Sequence, residues 1–125
     1  MSTAKPLMEM PEWDALWAAQ QKPDAGRALI FKYSPTCSIS QRVERGYNAW
    51  LQTVPADTPL QIFKVNVINQ RPIARKISAD VGVQHESPQV YLLGPNGKVL
   101  WHQSHMEITP EALVKETGAG KAMEA

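Results

Sequence analysis

The fold of this chain is decided within the stretch Ala28-Leu29-Ile30-Phe31-Lys32-Tyr33-Ser34-Pro35-Thr36-Cys37-Ser38-Ile39-Ser40. Residues 28–33 form a short, almost unbroken apolar run, which is typical of a strand buried on both faces of a mostly parallel sheet. After Cys37 the period changes, because apolar residues recur at helical spacing: Ile39, Val43, Tyr47 and Trp50. The stretch therefore predicts a central strand that leads directly into a helix.

Cys37 lies at the start of this predicted helix. We expect Thr36 to be the N-cap, which places Cys37 in the first turn, where backbone N–H groups are unpaired and the helix dipole is positive. A thiolate is favoured over a thiol at such a place, so Cys37 is the candidate nucleophile. The alternative is that a lone cysteine is a small buried hydrophobic residue without chemistry.

Ser40 stands three residues after Cys37, where a Cys-x-x-Cys oxidoreductase carries its resolving cysteine. The chain has one cysteine, so a mixed disulfide on Cys37 must be resolved by an outside thiol. We take Ser40 as a second catalytic candidate, since its hydroxyl is placed to donate a hydrogen bond to the thiolate. A local backbone cap is the other interpretation of this serine.

Length and composition favour a single domain covering residues 1–125. We expect residues 1–10 and 119–125 to be flexible, because neither end shows a period. The 13 basic and 12 acidic residues leave a net charge of +1, which argues against nucleic acid or a membrane surface as a partner. The chain has no apolar signal segment or membrane span, and its single cysteine suits a reducing compartment, so we expect a cytoplasmic protein.

Periodicity and turn residues predict the order helix, strand, helix, strand, helix, hairpin, helix. The predicted bounds are a helix from Pro11 to before Pro23, the strand at 28–33, the helix from Cys37 to about Gln52, a strand at 60–68, a helix from Pro72 to Gly82, strands at 89–93 and 98–104 joined by Gly94-Pro95-Asn96-Gly97, and a helix from the Thr109 cap to Gly118.

This order, with a cysteine at the first helix entry and a proline at the hairpin entry, resembles the thioredoxin fold. The resemblance implies an α/β, thioredoxin-like domain with a central mixed four-stranded sheet flanked by helices. It also implies a cis Ser87-Pro88 peptide bond near Cys37, where the turned backbone pairs with an extended substrate. The alternative is an ordinary trans proline at the start of a strand.

Three segments are similar to the monothiol bacilliredoxin family, whose motif reads Thr-Cys-Pro-Ile-Ser: Thr36-Cys37-Ser38-Ile39-Ser40, His85-Glu86-Ser87-Pro88-Gln89 and Trp101-His102-Gln103-Ser104-His105. The resemblance implies removal of bacillithiol from S-thiolated proteins, with that small thiol as co-substrate and no bound cofactor. It marks Thr36, Ser87, Pro88 and His105 as substrate-binding candidates. Ser38 departs from the motif, since it replaces the family's proline.

His105 is also placed by topology, because an antiparallel hairpin returns it to the end of the sheet that carries Cys37. A histidine there can shift the pKa of the cysteine thiol or protonate a leaving thiolate. The alternative is a surface or structural histidine without a role in the reaction. Three histidines and one cysteine at scattered spacing make no recognisable metal site.

Three other functions share parts of this pattern. Thioredoxin-like arsenate reductases also carry serine three residues after cysteine, but arginine follows at once, whereas Gln41 precedes Arg42 here. A peroxiredoxin has threonine three residues before its cysteine, where this chain has Ser34. The last alternative is a peptide-binding module of the thioredoxin fold without redox chemistry.

Overall fold

The computed structural model describes residues 3–122, and within them a mixed sheet lies between two layers of helices. The elements are β1 (Lys5–Pro6), α1 (Met10–Gln20), β2 (Arg27–Tyr33), α2 (Ser38–Thr53), β3 (Leu60–Asn66), α3 (Arg71–Val81), β4 (Gln89–Leu93), β5 (Val99–Ser104) and α4 (Pro110–Thr117). The strand order is β1-β3-β2-β4-β5. The thioredoxin-like α/β class is confirmed.

β2 is the central strand, as the apolar run predicts. It pairs in parallel with β3 along its whole length and antiparallel with β4. Alternate side chains of β2 enter different cores, with Phe31 on the face covered by α2 and α4 and Ile30 on the face covered by α1 and α3. Both faces of β2 are therefore covered, which is why the run carries little polar alternation.

The sheet has five strands rather than the predicted four. Lys5 and Pro6 pair in parallel with Phe63 and Lys64, and Leu7 then donates a hydrogen bond to Lys64 O and is buried. Residues 5–7 are therefore held at the edge of the sheet; the expected flexibility of residues 1–10 stays a prediction, and residues 1–2 lie outside the described range. A two-residue strand is too short to show a period, so its pairing depends on the open edge of β3.

The chain after α4 is also fixed in part. Ala119 is buried and its carbonyl accepts a hydrogen bond from Trp50 Nε1 at 2.8 Å. Lys121 N donates to Thr53 Oγ1 at 2.7 Å. Ala119 and Lys121 are therefore anchored to the end of α2; the predicted flexibility of residues 119–125 stays a prediction, and residues 123–125 lie outside the described range.

One end of the sheet collects the segments that sequence analysis singled out. The parallel strands β2 and β3 end there, β4 begins there, and β5 returns to it because it is antiparallel to β4. The loop before α2, the segment at 84–88 and His105 consequently share that end. No helix within residues 3–122 has the length and apolar character to cross a membrane.

Candidate active site

Cys37 is the N-cap residue of α2, and it is only partly buried. The prediction that Thr36 caps the helix is wrong by one residue, because Cys37 has extended backbone angles (φ −98°, ψ 125°) while its carbonyl accepts from Gln41 N at 2.9 Å. The side chain of an N-cap residue is the one that normally accepts from the N–H groups of the first turn. Cys37 forms no such bond, so its sulfur remains available for reaction at the positive end of the helix.

The loop that leads to Cys37 is held by hydrogen bonds to the first turn of α2. Ser40 is fully buried, and its Oγ accepts from Ser34 N at 2.8 Å. The remaining bonds of the loop are Cys37 N to Ser34 O at 3.5 Å, Gln41 Nε2 to Pro35 O at 2.6 Å, and Ser34 Oγ with Thr36 Oγ1 at 3.3 Å. Together they fix the path of the chain into the helix.

Ser40 thus anchors the loop by accepting a hydrogen bond from Ser34 N, and the structure shows no hydrogen bond between its Oγ and Cys37 Sγ. The local backbone contact, which was the second interpretation, is the one observed. A catalytic role for Ser40 stays a prediction. Thr36 is exposed beside Cys37, where a substrate can reach it.

The Ser87–Pro88 peptide bond is cis, as the resemblance implies. Because Lys32 pairs with Gln89 across the β2–β4 ladder, Pro88 lies one residue beyond it, at the end of the sheet that carries Cys37. Within residues 3–122, the backbone N–H and C=O of Ser87 form no hydrogen bond, and its buried Oγ has no partner either. Ser87 therefore presents free polar groups next to the cis proline.

His105 reaches the same loop. Its N donates to Pro88 O at 2.9 Å, and its Nε2 lies 3.9 Å from Glu86 Oε1. The residue has a positive φ of 57°, which is uncommon outside glycine and often marks functional positions. The imidazole lies next to Glu86 of the loop and is more than half exposed, so it remains open to solvent.

Lys32 was not among the site residues predicted from the sequence, and it is fully buried although it lies near the end of β2, next to the site. Its Nζ contacts Ser78 Oγ at 2.6 Å, Tyr91 Oη at 2.8 Å, His85 Nδ1 at 3.0 Å and Gln89 Oε1 at 3.3 Å. Burial lowers the pKa of Lys32 to about 7. The signal was present in the sequence, because a lysine interrupts a run that was predicted to be buried on both faces.

His85 borders this cluster and shares its electrostatics. Its pKa is lowered by burial and by the positive charges of Lys32, Arg75 and Arg71. The ring is therefore predominantly neutral at neutral pH. Within residues 3–122, no group of three or more His, Cys, Asp or Glu side chains is arranged to hold a metal ion.

A model of the family described as monothiol bacilliredoxin BrxC matches residues 5–113, most of the chain. Among solved structures, a protein described as having a thioredoxin fold aligns with a TM-score of 0.71 at 22% identity, over 90% of this chain and 92% of that one.

Thioredoxins give similar alignments. The one from Nicotiana alata has a TM-score of 0.68 at 17% identity, over 96% of this chain and 95% of its own. The one from Malassezia sympodialis has 0.67 at 15% identity, over 94% and 90%. These structural similarities establish the thioredoxin fold alone, whereas the family model matches the sequence itself over residues 5–113.

Proposed function

We propose that this chain, which belongs to the monothiol bacilliredoxin family, removes a low-molecular-weight thiol from mixed disulfides on proteins. Membership makes it a thiol–disulfide oxidoreductase. The observation that carries the proposal is Cys37, partly exposed at the N-cap of α2 with no second cysteine in the chain. Such a sulfur can attack a disulfide but cannot be relieved from within.

The exchange has two steps. The Cys37 thiolate attacks the sulfur of the small thiol in the mixed disulfide, so that a new disulfide forms on Cys37 and the protein thiolate leaves and takes a proton from water. A second molecule of the small thiol, as its thiolate, then attacks the small-thiol sulfur bound to Cys37. This step releases the small thiol as its own symmetrical disulfide and regenerates the Cys37 thiolate.

Ser87 supports a protein as the substrate. Its backbone N–H and C=O have no partner within residues 3–122, and they lie beside the cis proline. An extended peptide can pair with such groups as a strand pairs with a sheet edge. Exposed apolar side chains at the same end of the sheet, Ile39, Ile68 and Met106, offer contact area for the polypeptide around the modified cysteine.

Bacillithiol is the small thiol that we propose, because it is the co-substrate implied by the family. Thr36 and His105 are the residues that we expect to contact the small thiol or the peptide around it, since both are exposed at the Cys37 end of the sheet. The cytoplasm is the proposed compartment, since exchange with a reduced thiol pool requires reducing conditions.

The test is mass spectrometry of a protein that carries bacillithiol on one cysteine, mixed with equimolar wild-type chain. We expect the small-thiol mass to move to Cys37 and the substrate to return to its free thiol. The Cys37→Ser variant should leave the substrate modified. The same substrate carrying glutathione identifies the preferred thiol. If neither adduct moves to Cys37 of the folded wild-type chain, the proposal is wrong.

A further inference from the structure

Lys32 forms the centre of a buried polar cluster on the face of the sheet opposite α2. The cluster consists of Lys32, Ser78, His85, Gln89 and Tyr91. The Tyr91 ring also lies under the amine, with its centroid 4.9 Å from Nζ. No carboxylate of the described residues lies within salt-bridge distance of Lys32, so neutral polar groups alone satisfy its protons.

Gln89 connects this cluster to the loop before the cis proline. Its Oε1 accepts from Lys32 Nζ, from Tyr91 Oη at 2.6 Å and from the backbone N–H of Glu86 at 3.0 Å. Its Nε2 donates to the carbonyl of Gln84 at 2.9 Å. Because the amide reaches two backbone positions of the loop, the orientation of Gln89 sets the path of residues 84–86 into Ser87.

We propose that Lys32 is a positioning residue for the protein substrate: through Gln89 it fixes the cis-proline loop, so that Ser87 presents its backbone to the peptide beside Cys37. This inference rests on the proposed function, because it concerns recognition of the polypeptide in the same reaction. Lys32 is fully buried and its Nζ contacts only side chains of the cluster, so we expect it to act on the substrate through Gln89 rather than by direct contact.

The cost of burying an amine explains what Lys32 contributes. A buried cation without an anionic partner is unfavourable, and replacing buried charged groups by apolar side chains of similar volume is often neutral for stability. The amine instead supplies up to three directed donors, which select one orientation of the Gln89 carboxamide. Lys32 therefore contributes to the orientation of Gln89 rather than to stability, so we expect the Lys32→Met variant to fold.

The charge of Lys32 varies near neutral pH, since burial lowers its pKa to about 7. The other titratable or charged groups around the cluster are Arg71 and Arg75 on α3, His85 and Glu86 in the loop, and Tyr91 on β4. The pKa of Tyr91 is raised to about 12 by burial, so Tyr91 stays protonated in this range. As the pH rises through 7, Lys32 loses one donor and holds Gln89 less firmly.

The experiment compares two substrates of the wild-type chain and of Lys32→Met. One is a protein mixed disulfide, and the other is a small aromatic disulfide that has no peptide to bind. The quantity compared is the second-order rate constant with the protein substrate divided by that with the small disulfide. The ionisation of Cys37 does not affect this ratio, because both reactions use the same thiolate. Lys64→Met is the matched control, because Lys64 is a half-buried lysine of the neighbouring strand outside the cluster.

We expect Lys32→Met to lower the rate with the protein substrate about tenfold and to leave the small disulfide within about twofold, since a small misplacement of a binding group is enough to slow a positioned reaction. In the wild type, the ratio of the rate with the protein substrate to the rate with the small disulfide should fall from pH 6 to pH 8, and this fall should be smaller in Lys32→Met. Lys64→Met should behave as the wild type in both respects.

Gln89→Met removes the other partner of the contact between Lys32 and Gln89. If Lys32→Met does not fold, the substrate ratio of Gln89→Met tests the proposal instead. The two substitutions should not be additive, because they break one chain of contacts. An unchanged substrate ratio in the folded variants, with an active wild type, overturns the role of Lys32 alone. A wild type inactive toward the protein substrate overturns the proposed function and, with it, this inference.

Discussion

Ser40→Ala isolates the hydrogen bond that anchors the loop before Cys37. Ser40 is fully buried, and its Oγ accepts from the buried residue Ser34 at 2.8 Å. Alanine leaves the Ser34 N–H without a partner, which costs about 1–3 kcal/mol. For a chain of this length, 1 kcal/mol corresponds to about 4 °C in Tm, so a loss of about 2 kcal/mol lowers Tm by about 8 °C.

The same substitution should slow the exchange reaction. Ser34 O accepts from Cys37 N, so a displaced Ser34 also moves the backbone that carries the sulfur. We expect the rate with a protein mixed disulfide to fall about tenfold, as for other small displacements of a reacting group.

The assay pairs thermal unfolding followed by circular dichroism with the rate of release of the protein thiol. Ser38→Ala is the matched control, because Ser38 is exposed and two residues away, and its stability should change by less than about 0.5 kcal/mol. If Ser40→Ala unfolds and reacts like Ser38→Ala, the loop does not depend on the Ser40 hydroxyl and the reasoning is refuted.

Two further predictions concern stability. Cys37→Ser should abolish exchange and yet raise the free energy of unfolding by up to about 1 kcal/mol, because serine is a far better N-cap acceptor. Urea unfolding of the wild type and the variant measures this difference. A less stable variant contradicts the assignment of Cys37 as the cap. Since the pKa of Lys32 is about 7 in the folded chain and near 10.4 when exposed, the unfolded chain binds more protons between these values, so stability should rise from pH 7 to 9. Lys32→Met should lack this increment in Tm measured over the same range, and equal slopes for the two proteins would show that the amine is not desolvated.

The two ends of the chain show where sequence patterns stop being informative. β1 has two residues, and it exists because the edge of β3 offers partners to Lys5 and Pro6. Ala119 is fixed because Trp50 Nε1, buried in the core, requires an acceptor. Neither requirement is visible in the local sequence, since each is imposed by residues far away in the chain.

The sequence alone determined the change from strand to helix around Cys37, the hairpin, and the presence of one cysteine without a resolving partner. These features depend on local periods, turn residues and a count of cysteines, which need no tertiary information. Only the tertiary structure decided that Ser40 binds Ser34 and that Lys32 is buried against Ser78 and Tyr91. Ser78 is 46 residues from Lys32 and Tyr91 is 59, and burial of a strand residue depends on what covers its face, which alternation along the strand cannot reveal.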